Sequence, residues 1–422
     1  MPLLDWPQPV PSCGVVLFAS IEPPGMDAFG GLRDRGFDVV ADANATPGDW
    51  TLRIGHPTWG RATLNGPIAK VAKLVAASAS ADGHLTRTER ETVTRARSGV
   101  TLTVDALGES PIVARKRFLR FAFAVMGTAS VGVVDLLSQR IWSRGAIVDE
   151  LSIDAELDVE GLYIRHMISN SGPAPEWLHT HGLGEIGAFD LDILNPDVAF
   201  SDLRLDTVRA IAFTILERRA QMGEELELAE PEGTIAFVPA EQFMRAAAPE
   251  HVALRDSDAA TDEAHLVNRA VVCEPESSPF AMLAGRPTPS IFLSAPEPEG
   301  MILQASKAVS DFMARRARAS FPLLRATFDA LRGDADVFVK LAYDSELPAL
   351  PKEHLWFRAH GFRDDAIDAT LLSAPFGILA MQAGARGWHG IDRLSDWKLG
   401  TPYGPVFPWF TAHSRTARRR AR

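Results

Sequence analysis

The stretch Trp177-Leu178-His179-Thr180-His181-Gly182 holds the residues best suited to chemistry. On an extended strand, positions two apart share a face, so His179 and His181 would offer two imidazoles to one divalent cation. Asp190 and Asp192 repeat that spacing further on, and His166, Glu185 and Asp197 lie close in sequence. Two histidines and a carboxylate would resemble catalytic zinc or non-haem iron centres, which keep one coordination position open. One expectation is therefore a Zn, Mn or Fe ion on His179, His181, Asp190 and Asp192, serving a metal-dependent hydrolase or oxygenase. The simpler expectation is a histidine pair that hydrogen-bonds backbone at a strand end and holds no metal.

Gly182, Gly184 and Gly187 match the spacing of the dinucleotide fingerprint, which needs a helix starting directly behind the glycines. Here Ala188 to Leu194 alternates as a strand, so the glycines are read as a loop between two strands. Cys13 and Cys273 are too few and too far apart for a disulfide framework or a zinc knuckle, and they read as inert thiols of a reducing compartment. The chain carries no G-x-S-x-G, P-loop or H-E-x-x-H motif. Trp356, Trp388, Trp397 and Trp409 fall together with Phe357, Phe362, Phe376, Phe407 and Phe410. Most belong to a core, and Trp356 and Trp397 are the candidates for a partner-binding surface.

The elements that must position these residues begin with a strand at Gly14–Ala19 and a short helix at Met26–Arg35, stopped by Gly36. Strands follow near 37–41 and 51–54, with a helix over 68–77. A strand over 99–104, a helix over 112–126 with Arg115, Lys116 and Arg117 near its start, and a strand over 130–134 come next. Later strands fall at 162–168, 189–194, 234–238 and 270–272, around a helix at 207–222. Six prolines between Glu274 and Glu299 exclude a helix or central strand and mark the main boundary. Beyond it, two helical stretches split at Pro322 precede strands near 337–342, 355–359, 367–371, 388–391 and 395–397. On the second of these, Leu355, Phe357 and Ala359 face one way and Trp356, Arg358 and His360 the other. The expected fold class is α+β with mixed α/β layers. A larger α/β domain spans 1–295, with a subdivision near 95 left open. A β-rich unit follows over 300–422 as a small, strongly bent sheet or a barrel, with a basic tail.

Within that second unit, the Ala- and Arg-rich helix Lys307 to Arg318 comes first. It precedes Val337-Phe338-Val339-Lys340, Glu353-His354-Leu355-Trp356, Asp365 with Ile367, Pro375, Gly384 and Ser395-Asp396-Trp397. In this order and spacing the unit resembles the YegJ-like family over about residues 302–400. The family pattern usually has a glycine where this chain has Ala369 and an acid where it has Ala385. The stretch around Trp177-Leu178-His179-Thr180-His181-Gly182-Leu183 is similar to the larger uncharacterised domain that often precedes it. The resemblance implies a bacterial protein of unknown function and supplies no activity.

Composition limits the partners. The chain has 422 residues, 46% hydrophobic and 23% charged, enough to bury a core, and its net charge is −11. Five arginines fall in the final eight residues, leaving residues 1–414 at −16. So acidic a body repels phosphate backbones and anionic lipid, which argues against general nucleic-acid or membrane binding. Its longest apolar run, Phe121 to Val134, is too short to span a bilayer, and the start of the chain does not read as a secretion signal. The reading is a soluble cytoplasmic protein with a binding or regulatory role towards a protein or peptide. The arginine-rich tail is either a frayed end or an arm that grips an acidic surface, a partner's or the body's own.

Overall fold

In a computed structural model the described residues are 11–42, 49–81, 84–136, 138–168, 176–183, 188–194, 202–228, 233–255, 268–290, 307–331, 333–347 and 351–421. They form an α+β structure of three mostly antiparallel sheets. The first sheet contains β1 (Ser12–Phe18), β2 (Asp38–Ala41), β3 (Trp50–His56), β4 (Gly60–Ala69), β5 (Ser98–Val104), β6 (Ser130–Asp135) and β7 (Ile141–Trp142), ordered β2-β3-β4-β5-β1-β6-β7. It is continuous across residue 95, because β5 pairs with both β4 and β1.

Strand β1 reads as an unbroken apolar run because both of its faces are covered. Val16 and Phe18 point to one core, Val15 and Leu17 to another. Val71 and Val75 from the region of helix α1 (Ala72–Ala81), with Val93 of α2 (Arg87–Val93), close the second side. Helix α3 (Pro111–Val125) closes the first, and it lies so near β1 that a Cβ on Gly14 would meet the Phe118 ring and the Val134 carbonyl at 2.7 Å or less. Its three early cations are buried ties: Arg115 pairs with Asp135, Lys116 donates to the Ile153 and Ala155 carbonyls, and Arg117 pairs with Glu109 at 2.6 Å. Helix α4 (Arg144–Ser152) packs beside α3.

The second sheet contains β8 (Ile164–Ile168), β9 (Trp177–His181), β10 (Asp190–Leu194), β11 (Glu225–Leu228), β12 (Gly233–Pro239) and β13 (Arg269–Cys273), ordered β11-β12-β13-β10-β9-β8. Only its β10–β13 pair is parallel. One face joins the first core through Leu178, Leu191, Phe237 and Val272, with Ile211, Ile215 and Leu216 of α5 (Asp202–Arg218). The other face is apolar only where α6 (Ala240–Ala246) and α7 (Pro249–Val252) cover Trp177, Leu194, Val271 and Cys273. In the proline-rich stretch the structure corrects the sequence expectation: α8 (Pro279–Ala284) is a helix. Pro279 stands in its first turn, where the missing amide hydrogen costs no helical bond, and Ser278 caps it.

The third sheet follows helices α9 (Lys307–Ala319) and α10 (Phe321–Leu331), so the helical break falls at Ser320. Its strands are β14 (Asp336–Asp344), β15 (Lys352–Phe362), β16 (Ala366–Leu371), β17 (Arg386–Gly390), β18 (Leu394–Thr401) and β19 (Gly404–Val406), ordered β17-β16-β15-β14-β18-β19. The sheet is open. No closed barrel forms among the described residues, because β17 and β19 remain edges and the helices close the core in place of a second wall. Helix α9 belongs to two cores, with Val309 and Phe312 in the first and Ala317 in the third sheet's own. The arginine-rich stretch forms α11 (Ala412–Arg420), beside α10. No helix among the described residues is long and apolar enough to cross a membrane.

Candidate functional site

Strand register brings the histidines together. His179 lies opposite His166 of β8 and opposite Asp192 of β10, so one row crosses three strands. The His166 and His179 rings stack at 5.3 Å, and His181 stands edge-on to both at 5.2 and 5.0 Å. Trp177 packs on His179 at 4.3 Å, two residues away on the same strand face. The structure therefore places His179 and His181 on one face, as their spacing predicts, and adds His166 as the third ring.

The carboxylates are engaged elsewhere. Asp192 is fully buried between Arg255 at 2.9 Å and Arg269 at 2.7 Å, and it accepts the Trp177 indole hydrogen at 3.1 Å. Two guanidinium groups on one carboxylate form a charged knot that holds β9, β10 and β13 together, a role unlike metal ligation. Asp190 accepts from the Thr180 hydroxyl at 2.8 Å and from the Gly182 and Leu183 amides at 3.1 Å each, pinning the turn behind β9. Burial pushes the Asp190 carboxyl up; Arg269 and these hydrogen bonds oppose it. Glu185 and Asp197 lie outside the described residues. Among the described residues, no group of three or more His, Cys, Asp or Glu side chains is arranged to hold a metal ion. The metal reading has no support there. Gly184 and Gly187 are likewise outside the described residues, and the element that follows them is strand β10.

The two tryptophans part company. Trp397 is fully buried and donates its indole hydrogen to Ser320 Oγ at 3.0 Å, so it staples the sheet to the α9–α10 junction and offers nothing to a partner. Trp356 stands half-buried on the opposite face, paired across the sheet with Lys340, whose Nζ lies 5.5 Å from its ring. Helices α9 and α10 cover the other side through Val337, Val339, Leu355 and Phe357.

The uncovered face is organised in rows. Arg386, Thr370, Arg358, Phe338 and Lys398 are successive register partners across five strands. Arg358 pairs with Asp336, and Arg386 holds Asp368 through two bonds of 3.0 and 2.6 Å. Trp388 is 47% exposed, with the Arg363 guanidinium 3.9 Å from its ring. The alternation of β15 was the sequence signal for this face. The cross-strand order that lines up its cations was not visible without register. No protein family, curated protein or solved structure matches the chain.

Proposed function

We propose that this chain is a binding protein that receives an extended, acidic peptide segment of a partner on the open face of its third sheet. The observation that carries the reading is the one-sided cover of that sheet. Helices close one face, while the other presents Phe338, Trp356 and Trp388 among Lys340, Arg358, Arg386 and Lys398. Aromatic rings supply rigid contact area at little cost in side-chain entropy, and arginine is enriched where carboxylates are gripped. On the face Asp336 and Asp368 pair with Arg358 and Arg386, and the buried Asp396 lies opposite Lys340, while the chain as a whole carries −11. Local charge, set by the face, attracts a carboxylate-bearing segment that the body would otherwise repel. The same reading takes residues 302–400 as a YegJ-like unit of a bacterial cytoplasmic protein. Supporting it are the Ala- and Arg-rich helix α9 ahead of the paired β14 and β15, and the Ser395-Asp396-Trp397 landmark inside β18.

The test uses a fluorescein-labelled peptide alternating glutamate with leucine and tyrosine, its lysine counterpart, and single-stranded oligothymidine. Fluorescence anisotropy with the full chain is expected to show saturable binding of the acidic peptide alone. Trp356→Ala and Lys340→Glu should each weaken it about tenfold, the size of one good interfacial contact. Equal binding of both peptides, preference for the oligonucleotide, or indifference to both substitutions would sink the reading.

A further inference from the structure

A second site lies far from that face in the fold, in the first sheet and the helix that covers it. Arg35 and Phe37, the β3–β4 turn with His56 and Trp59, and Arg120 and Phe123 of α3 line an open pocket of about 350 Å³. That volume falls within the range of small-ligand sites.

Its walls are aromatic and held in place. The His56 and Trp59 rings stack at 3.9 Å, Phe37 meets them at 5.0 and 5.6 Å, and Phe121 closes on Trp59 from behind at 5.8 Å. The turn carrying these rings is fixed from α3, because Arg117 donates to the Trp59 carbonyl at 3.1 Å. The Thr58 amide and hydroxyl lie 3.3 and 3.0 Å from His56 Nδ1 and hold the ring within the turn. Such a box is set before any ligand arrives, so little ordering entropy opposes binding.

The charge of the pocket has one sign. Arg35 and Arg120 line it, and among the described residues no carboxylate does. Arg35 is anchored by donating to the Ala124 carbonyl at 2.5 Å. Arg144 stands just beyond, its guanidinium 4.7 Å from the Phe123 ring and bonded to the Gly127 carbonyl at 2.8 Å. A guanidinium matches a carboxylate through paired hydrogen bonds, and flat rings match a planar aromatic body. We propose that this pocket binds a small planar aromatic carboxylate, with the ring against His56, Trp59 and Phe37 and the carboxylate towards Arg35 and Arg120. The site is independent of the peptide face and stands or falls separately.

The probe is 2-naphthoate, titrated into the full chain by calorimetry, with neutral 2-naphthamide as its uncharged counterpart. One saturable site is expected, with the amide at least about tenfold weaker because it forfeits the charge-assisted bonds. Arg120→Gln and Trp59→Leu should each weaken naphthoate about tenfold. Trp356→Ala, in the other site, should leave it unchanged. Arg120 is exposed, so its replacement tests recognition without threatening the fold. The proposal is overturned by the absence of a saturable site, by equal affinity for acid and amide, or by unchanged naphthoate affinity in Arg120→Gln and Trp59→Leu.

Discussion

Asp396 is a carboxyl whose charged form is at odds with its surroundings. It sits in β18 opposite Lys340, buried, and accepts the Trp397 amide at 2.7 Å. Burial pushes its carboxyl up to about 6; the Trp397 amide, Lys340 and Arg209 pull the other way, and Asp158 adds to the rise. Because the folded value exceeds the ordinary 3.8, the folded protein prefers the protonated form. That preference stabilises the fold below the unfolded value and is lost as pH rises from about 4 to about 6, at roughly 1.4 kcal/mol per pH unit. Asp396→Asn keeps the acceptor and removes the charge. Urea unfolding should find the variant more stable by up to roughly 3 kcal/mol near pH 7.5, and close to the parent near pH 4. A variant less stable than the parent near pH 7.5 would refute this account. In the sequence Asp396 was visible only as a landmark between Ser395 and Trp397, since nothing local announces its burial. The histidine spacing was legible because period two is a property of one strand. The diversion of Asp192 was not, since its partners Arg255 and Arg269 come from distant stretches.

At the scale of elements, β9 shows how tightly the histidine row is built. Gly182 ends it at φ +123, a conformation that side chains disfavour. A Cβ there would strike the Leu162 carbonyl oxygen and come within 2.9 Å of Ser138 Cα, both backbone atoms that cannot swing aside. Gly182→Ala is therefore expected to cost at least about 3 kcal/mol, from strain and from displacing β9 against β8. Denaturant unfolding checks the cost, and a loss below about 1 kcal/mol would show that the backbone yields there. Elements with clean alternation, such as β15 and β16, were readable because one face meets a core and the other does not. Strand β4 was not: Gly66 and Pro67 interrupt it in sequence, yet its register simply shifts between Asn65 and Ile68 while pairing with β5 continues. Helix α8 was missed for a related reason. Proline density argues against the middle of a helix but is compatible with its first turn.

At the scale of the whole molecule, the charge asymmetry of the sequence becomes an internal fastening. Arg415 of α11 reaches Glu89 at 2.9 Å and Asp149 at 3.2 Å and donates to the His84 carbonyl, while Arg418 holds Asp149 at 2.6 Å. Arg316 of α9 grips Glu150 at 2.6 Å and the Glu156 and Pro408 carbonyls. Arg209 pairs with Asp158 and lies 4.1 Å from the Trp409 ring. Of the two fates the sequence offered the tail, the structure shows the grip on the body's own acids. Burial pushes the Glu89 carboxyl up, but Arg415, Ser143 and the Thr86 amide together hold it below its usual value, so its contribution fades as the solution is acidified. Removing the cation leaves Glu89 partly buried without its main partner and Asp149 with Arg418 alone, and breaking a buried pair in this way typically costs about 3–5 kcal/mol. Arg415→Met should thus lower unfolding stability by roughly that amount near pH 7.5, and by clearly less near pH 4, where the orphaned Glu89 carboxylate can take up a proton. The parent should lose little of this fastening between about 0.05 and 0.5 M salt, since buried pairs are weakly screened. Calorimetry of both proteins at the two pH values decides it. If Arg415→Met costs nothing near pH 7.5, or as much near pH 4, the tail is decoration on the surface and the fastening rests on α9 and on the Arg316 and Arg209 contacts.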